Sequence, residues 1–257
     1  MERIACLFIG YLFGMFQTSY LIGKYHHMDI RQYGSGNAGT TNALRTLGKK
    51  AGAMTLIGDM LKCVIAILVV DAVFKNQYGD ILPLLGMYTA AGCVLGHNFP
   101  IYLKFRGGKG IAASAGMLLA LDWRVFLICA VIFIGLVAVT RYVSLGSMAA
   151  YVGALICFIA FGAAGSYGMD PSHVVEMNVI MALMTALAIY RHRANISRLM
   201  NGTENKLGAK KRRGDGFGKN QCNGDRKLGN STCNTALQQW PSGYAVVCTS
   251  GKGSQPE

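Results

Sequence analysis

Long, sparsely charged apolar blocks constrain this chain more than any other feature. Residues 4–23, 53–74, 81–96, 125–140, 143–164 and 174–190 are runs rich in Leu, Ile, Val, Ala, Gly, Phe and Met. A helix that crosses the hydrocarbon core of a bilayer needs ~20 mostly apolar residues, with some latitude. A seventh block, residues 111–121, is shorter and would rise only ~16 Å as a helix. It spans only if helix begins earlier, within residues 107–110, or it forms a partial helix. The pattern predicts an all-α integral membrane protein with seven transmembrane helices, six being the fallback count. Short amphipathic or re-entrant cytoplasmic loops would join them. Composition agrees: the 257 residues are 52% hydrophobic and 14% charged, whereas soluble domains carry about 25% charged residues.

The net charge of +13 is unevenly placed. With seven segments taken alternately, one side holds Lys24, Arg31, Arg45, Lys49, Lys50, Lys104, Arg106, Lys109, Arg141, Arg191, Arg193 and Arg198. The other keeps Arg3, Lys75 and Arg124. The positive-inside rule makes the first side cytoplasmic and puts the N-terminus outside. An even number of crossings would break this asymmetry. No basic region is interleaved with stacking aromatics, so nucleic acid is not an expected partner. Cys6, Cys63, Cys93, Cys129 and Cys157 fall in apolar blocks and read as small hydrophobes.

A boundary falls near Gly208. Residues 1–208 form the multi-pass domain; residues 209–257 are polar and basic, rich in Gly, Asn, Ser, Lys and Gln. Such a composition cannot bury a core, so a disordered tail is expected. Its Lys210–Arg213 cluster is either solvated or a contact for anionic headgroups. Cys222, Cys233 and Cys248 lie there without zinc-type spacing.

Three polar stretches interrupt the apolar pattern on the basic side. The first runs Gly34-Ser35-Gly36-Asn37-Ala38-Gly39-Thr40-Thr41-Asn42, followed by Arg45. Its glycines permit positive φ, so successive N–H groups can converge on an anion, and Arg45 adds a bidentate phosphate fork. The second runs Gly96-His97-Asn98-Phe99-Pro100 and then Lys104 to Gly110 through Gly107-Gly108-Lys109. It lacks the Ser or Thr and the upstream Gly of a nucleotide phosphate loop. A glycine turn opening an apolar helix remains, and such an N-terminus favours an anion. The third runs Tyr190 to Leu199 and on to Gly202-Thr203-Glu204. A continuous helix there would put His192, Asn195 and Leu199 on one face. Arg141 and Ser144 mark a further cytoplasmic boundary. Asp59 and Lys62, three apart within a membrane block, read as a functional candidate or a structural ion pair.

Together these stretches resemble the bacterial acyl-phosphate:glycerol-3-phosphate acyltransferases, the PlsY-type enzymes of phospholipid synthesis. The resemblance rests on residues 34–45, 96–110, 141–146 and 190–204 and covers residues 1 to about 208 in order. It implies a bacterial inner-membrane enzyme with a cytoplasmic site and no cofactor or metal. The reaction it implies moves an acyl chain from acyl phosphate to sn-glycerol 3-phosphate, giving lysophosphatidic acid and phosphate without an acyl-enzyme. It also implies that Ser35, Arg45, Lys104, Ser144, His192 and Asn195 hold glycerol 3-phosphate and form the catalytic set. Gly36, Asn37, Gly39, Thr40, Thr41 and Asn42, with Gly107, Gly108, Lys109 and Gly110, would cradle the acyl phosphate. His97 and Glu204 would orient substrate. Membrane lipid and the enzyme that forms acyl phosphate are the implied partners. The chain has neither a His-x4-Asp pair nor a Gly-x-Ser-x-Gly elbow. The competing classes are an organic-phosphate transporter, disfavoured because the polar motifs cluster on one side rather than at the midplane, and a membrane anchor, which leaves the glycine-rich motifs without purpose.

Overall fold

The computed structural model describes residues 1–208, and residues 234–240 and 243–249. In the first stretch the α-helices are α1 (Glu2–Met15), α2 (Thr18–Tyr25), α3 (Thr40–Thr46), α4 (Lys49–Tyr78), α5 (Leu82–Asn98), α6 (Ile111–Leu121), α7 (Trp123–Thr140), α8 (Val143–Ala163), α9 (Pro171–Arg191) and α10 (Arg193–Met200). Local chemistry sets several ends. Pro83 and Pro171 stand in the first turns of α5 and α9, where a missing N–H costs nothing. Asp122 and Asp170 cap α7 and α9 by accepting from the N–H groups of Arg124 and Ser172.

Five helical stretches are long and apolar enough to cross a membrane: Glu2–Tyr25, Lys49–Leu103, Trp123–Thr140, Val143–Ala163 and Pro171–Arg191. The second is 55 residues long and contains both α4 and α5. Helix α6 begins only at Ile111 because Gly110 is left-handed at φ 79°. The earlier start within residues 107–110 is therefore not observed, and α6 keeps its 11 residues. Many large apolar side chains face outward, among them Val131 at 72% and Leu183 at 66% exposure. On a helix apolar all round, that face suits lipid rather than water.

Helix α1 packs on α5 by backbone contact. A Cβ on Gly10 would lie 1.9 Å from the Thr89 carbonyl oxygen, and one on Gly92 would lie 2.0 Å from that of Leu7. Gly14 and Gly96 make the same demand against Cys93 and Tyr11. Small residues at such positions let helices approach where no hydrophobic force drives association. Below this contact the first apolar block breaks, with Phe16 and Gln17 extended between α1 and α2. The break exposes carbonyls that lipid cannot satisfy. Lys62 of α4 answers them, its Nζ donating to Phe16 O at 2.6 Å and Gly14 O at 3.3 Å. Asp59 neutralises it at 2.9 Å.

Residues 234–240 and 243–249 pair as an antiparallel two-stranded hairpin, Asn234 opposite Thr249. The rest of the tail, with the Lys210–Arg213 cluster and Cys222 and Cys233, lies outside the described residues.

Substituting Gly10→Ala is expected to destabilise the fold by about 1–3 kcal/mol, because the obstacle is backbone that cannot rotate away. Gly135 has open space around it, so Gly135→Ala serves as the control. Thermal unfolding in detergent should show a lowered midpoint for the first and none for the second.

Candidate active site

One cavity of about 470 Å³ is lined by residues of α3 to α8 and α10 and by the loops that join them. Its head is polar and is built from the loop before α3, the loop before α6, the start of α8 and the α9–α10 junction. Its body is an apolar groove walled by Leu56 and Met60 of α4, Ala115 and Leu118 of α6, Phe126 and Phe133 of α7, and Ala150 and Ala154 of α8.

The loop before α3 is bent by Gly34 at φ 61° and Gly36 at φ 73°. Asn42 holds it: its Oδ1 accepts from the Ser35 N–H at 2.8 Å, and its Nδ2 donates to Ile30 O and Tyr33 O at 3.0 Å. Ser35, Asn37, Gly39, Thr40, Thr41, Asn42 and Arg45 all line the cavity, whereas Gly36 does not. The buried Thr40 hydroxyl has no partner among the described residues, which leaves a donor for a ligand.

The loop before α6 is more selective than its glycines suggest. The N–H groups of Gly107 and Gly108 donate to Asn98 O and His97 O at 3.2 Å. The carbonyl of Gly108 accepts from Arg191 at 2.7 Å. A Cβ on Gly107 would lie 2.0 Å from His97 O, so glycine is required there by close approach. Of this loop the cavity therefore meets Lys109 and Gly110, next to the first turn of α6, whose leading N–H groups lack intrahelical partners. Lys104 is exposed, left-handed at φ 54° and not part of the lining; Lys109 is the cation that this loop presents.

At the third stretch the helix is not continuous. Helix α9 ends at Arg191, His192 caps it, and α10 restarts at Arg193. His192 and Asn195 nevertheless both reach the cavity, while Leu199 does not. Glu204 gathers the neighbouring donors. It accepts from Ser144 Oγ at 3.1 Å, Asn195 Nδ2 at 2.8 Å and Arg198 Nε at 2.7 Å. Lys109 donates to the other side of the Asn195 amide, and Arg45 donates to Asn205 O at 3.2 Å.

The titrating groups respond to this crowding. Burial, then the nearby Lys109 charge, holds His192 down at about 4, so its ring is neutral at physiological pH. Its Nδ1 lies 2.7 Å from Ala188 O and must donate there, which leaves Nε2 as an acceptor. Burial also lowers Lys109 to about 8, against the pull of Glu204. For Glu204 itself burial acts upward but is outweighed by the Asn195 and Arg198 hydrogen bonds, so it stays ionised. Sequence reasoning missed two parts of the lining. Arg198 carries only an ordinary basic-helix signal, and the groove wall is indistinguishable in sequence from any lipid-facing residue.

The profile of the family described as glycerol-3-phosphate acyltransferase matches residues 4–202. A glycerol-3-phosphate acyltransferase of Clostridioides difficile is 47% identical over 210 residues, covering 79% of this chain and 94% of its own. One from Bacillus cytotoxicus is 44% identical over 201 residues, covering 78% and 92%. Among solved structures, the glycerol 3-phosphate form of PlsY, an integral membrane glycerol 3-phosphate acyltransferase, superposes with a TM-score of 0.69. It is 34% identical and covers 81% of this chain and 96% of its own. The lysophosphatidic acid form superposes at 0.67 with 33% identity.

Because Lys109 loses its proton near pH 8, anion binding at the head should weaken as pH rises. If binding needs the charged form, inorganic phosphate affinity falls roughly tenfold between about pH 7 and about pH 9, as the competent fraction falls. Lys109→Arg keeps its charge throughout and should abolish that fall in a calorimetric titration.

Proposed function

The chain belongs to the glycerol-3-phosphate acyltransferase family, and on that premise we propose that it transfers an acyl chain from acyl phosphate to sn-glycerol 3-phosphate. The products are 1-acyl-glycerol 3-phosphate and phosphate, the first acylation of phospholipid synthesis. The observation that carries this reading is the division of the cavity. A head of Arg45, Lys109 and Arg198 with hydroxyl and amide donors opens into an apolar groove. That shape fits an anionic head on an aliphatic chain rather than a soluble metabolite alone.

Within this reading Arg45, Ser144, His192 and Asn195 hold glycerol 3-phosphate, with Ser35 at the rim and Arg198 added to the set. Asn37, Gly39, Thr40, Thr41 and Gly110 hold the acyl phosphate, with the acyl chain in the groove. Glu204 orients Ser144 and Asn195 by accepting from both. Asn42, Gly36, Gly107 and Gly108 shape the two loops. Lys104, off the lining, acts on the approaching substrate through its charge.

An acyl phosphate is a mixed anhydride, and its phosphate is a good leaving group. The glycerol hydroxyl oxygen attacks the acyl carbon directly, forming the ester bond. The acyl carbon–oxygen bond to phosphate breaks and its electron pair leaves with phosphate. The hydroxyl proton passes to His192 Nε2 or to a phosphate oxygen. The donor is already an activated acyl group, so no acyl-enzyme is required, and Ser35 and Ser144 serve as hydroxyl ligands. Positioning and preorganised donors supply the acceleration. We count seven crossings by taking α4 and α5 separately and including α6. The N-terminus lies outside the bacterial inner membrane and the site faces the cytoplasm, where an acyl-phosphate-forming enzyme would supply the donor.

Purified protein in lipid, given palmitoyl phosphate with and without glycerol 3-phosphate, should release phosphate only when both are present, with lysophosphatidic acid as product. No release from folded protein would overturn the reading in favour of organic-phosphate transport, read by vesicle uptake. Arg45→Ala should raise the glycerol 3-phosphate KM by at least about tenfold, the cost of one charged phosphate contact. A cysteine at position 35 should react with impermeant reagents only from the cytoplasmic side.

A further inference from the structure

Asp59 and Lys62 sit at membrane depth with side chains 1% and 4% exposed, and the mechanism above uses neither. The Nζ of Lys62 has four partners: Phe16 O, Gly14 O, Asp59 Oδ1 and, at 2.8 Å, His97 Nδ1. Asp59 also accepts from the Thr18 hydroxyl at 3.1 Å. Closing the α1–α2 break needs only the two carbonyl contacts. The contact to His97 does something further.

An ammonium group is a donor only, so His97 Nδ1 must accept from it, and the proton of the neutral ring is carried on Nε2. That atom stands where the two glycine-rich loops meet. A Cβ on Gly108 would lie 2.2 Å from His97 Nε2 and 2.4 Å from Ala38 O. Both His97 and Asp59 line the cavity. Gln17 fixes the His97 backbone as well, donating to its carbonyl at 2.9 Å.

We propose that Lys62, held by Asp59, is a positioning residue that fixes His97 as an Nε2–H donor aimed at the acyl phosphate. The inference rests on the acyltransferase reading above. His97 then offers a hydrogen bond to the oxygen on which negative charge grows as the hydroxyl attacks, and gives up no proton in the balance. His192 has the opposite wiring, with Nδ1–H donated away and Nε2 left to accept. The cavity thus holds one histidine that gives a hydrogen bond and one that takes one. Lys62 sets the first by its charge and the Ala188 carbonyl sets the second.

The test is a double-mutant cycle on steady-state turnover of palmitoyl phosphate and glycerol 3-phosphate in lipid. His97→Asn keeps an acceptor where Nδ1 stands, so Lys62 stays satisfied, but removes the donor; kcat should fall about a hundredfold with the glycerol 3-phosphate KM within about twofold. His97→Gln puts an amide N–H near the Nε2 position and should restore kcat to within about tenfold of the parent. The paired change Asp59→Asn with Lys62→Met removes the ammonium without leaving a lone buried charge. It should lower kcat by at least about tenfold beside His97 but by under about threefold beside His97→Gln, which has no tautomer to fix. Equal factors in the two backgrounds would make the Asp59–Lys62 pair merely structural, and a normal kcat in His97→Asn would remove His97 as a donor. Either result overturns the proposal while the parent remains active; a parent without turnover would instead overturn the acyltransferase reading.

Discussion

A backbone carbonyl at membrane depth finds no water, so each interruption of a helix must be answered from within the protein. Much of this structure follows from that requirement. The gap after α1 is closed by the ammonium of Lys62, and the Gln17 amide in turn meets the carbonyl of His97 near the end of α5. The last carbonyls of α5 are closed by the N–H groups of Gly107 and Gly108, and the carbonyls of those glycines by Arg191. Satisfying one break creates the next element, because the chain must fold back to deliver each donor. The loops that result lie against one another at the end of the bundle. His97, whose carbonyl takes both the Gln17 amide and the Gly108 N–H, carries these repairs to the wall of the cavity.

The same economy explains why cations crowd the head without driving it apart. The charges of Arg45, Arg191 and Arg198 all bear on Lys109, and among the described residues Glu204 is the carboxylate that offsets it. Its carboxylate occupies donors that, on the proposed reading, also face the substrate phosphate. Without an anion these side chains would repel one another and lose their geometry. With Glu204 present they are preorganised, and a phosphate arriving beside it meets donors already aligned.

What the sequence disclosed and what it hid divide along physical lines. The apolar blocks and the side carrying the cations were legible, because hydropathy acts over whole segments. The three polar stretches were legible as a set, since Gly, Asn, His and Arg are costly near a membrane without a use. Individual roles were not. Gly10 and Gly107 both look like loop or packing glycines, yet one admits a neighbouring helix and the other admits the His97 carbonyl. Lys104 and Lys109 stand five apart on the same loop, and the left-handed turn at Lys104 and Phe105 decides which one faces the cavity. Asn42 reads as a donor to substrate, but its three hydrogen bonds go to the loop itself. Such assignments depend on which neighbour is within 3 Å, and local sequence does not encode that.

The groove wall opens toward the outer face of the bundle. Leu56 and Ile134 line the cavity, yet they are 41% and 63% exposed on the apolar flank of the bundle. The groove therefore communicates with the surface that lipid would cover. On the proposed reading, the acyl donor keeps its chain in the bilayer and slides sideways between these residues, losing little apolar contact. Glycerol 3-phosphate carries no chain and, on that reading, comes through the polar head, where Arg45 and Ser35 are exposed. On that reading the reacting carbon is held at the junction between the two, and His97 and His192 both line the cavity. On the same reading the acyl chain would keep water from that junction, so the groove that takes the donor would also protect the mixed anhydride from hydrolysis until the glycerol hydroxyl arrives.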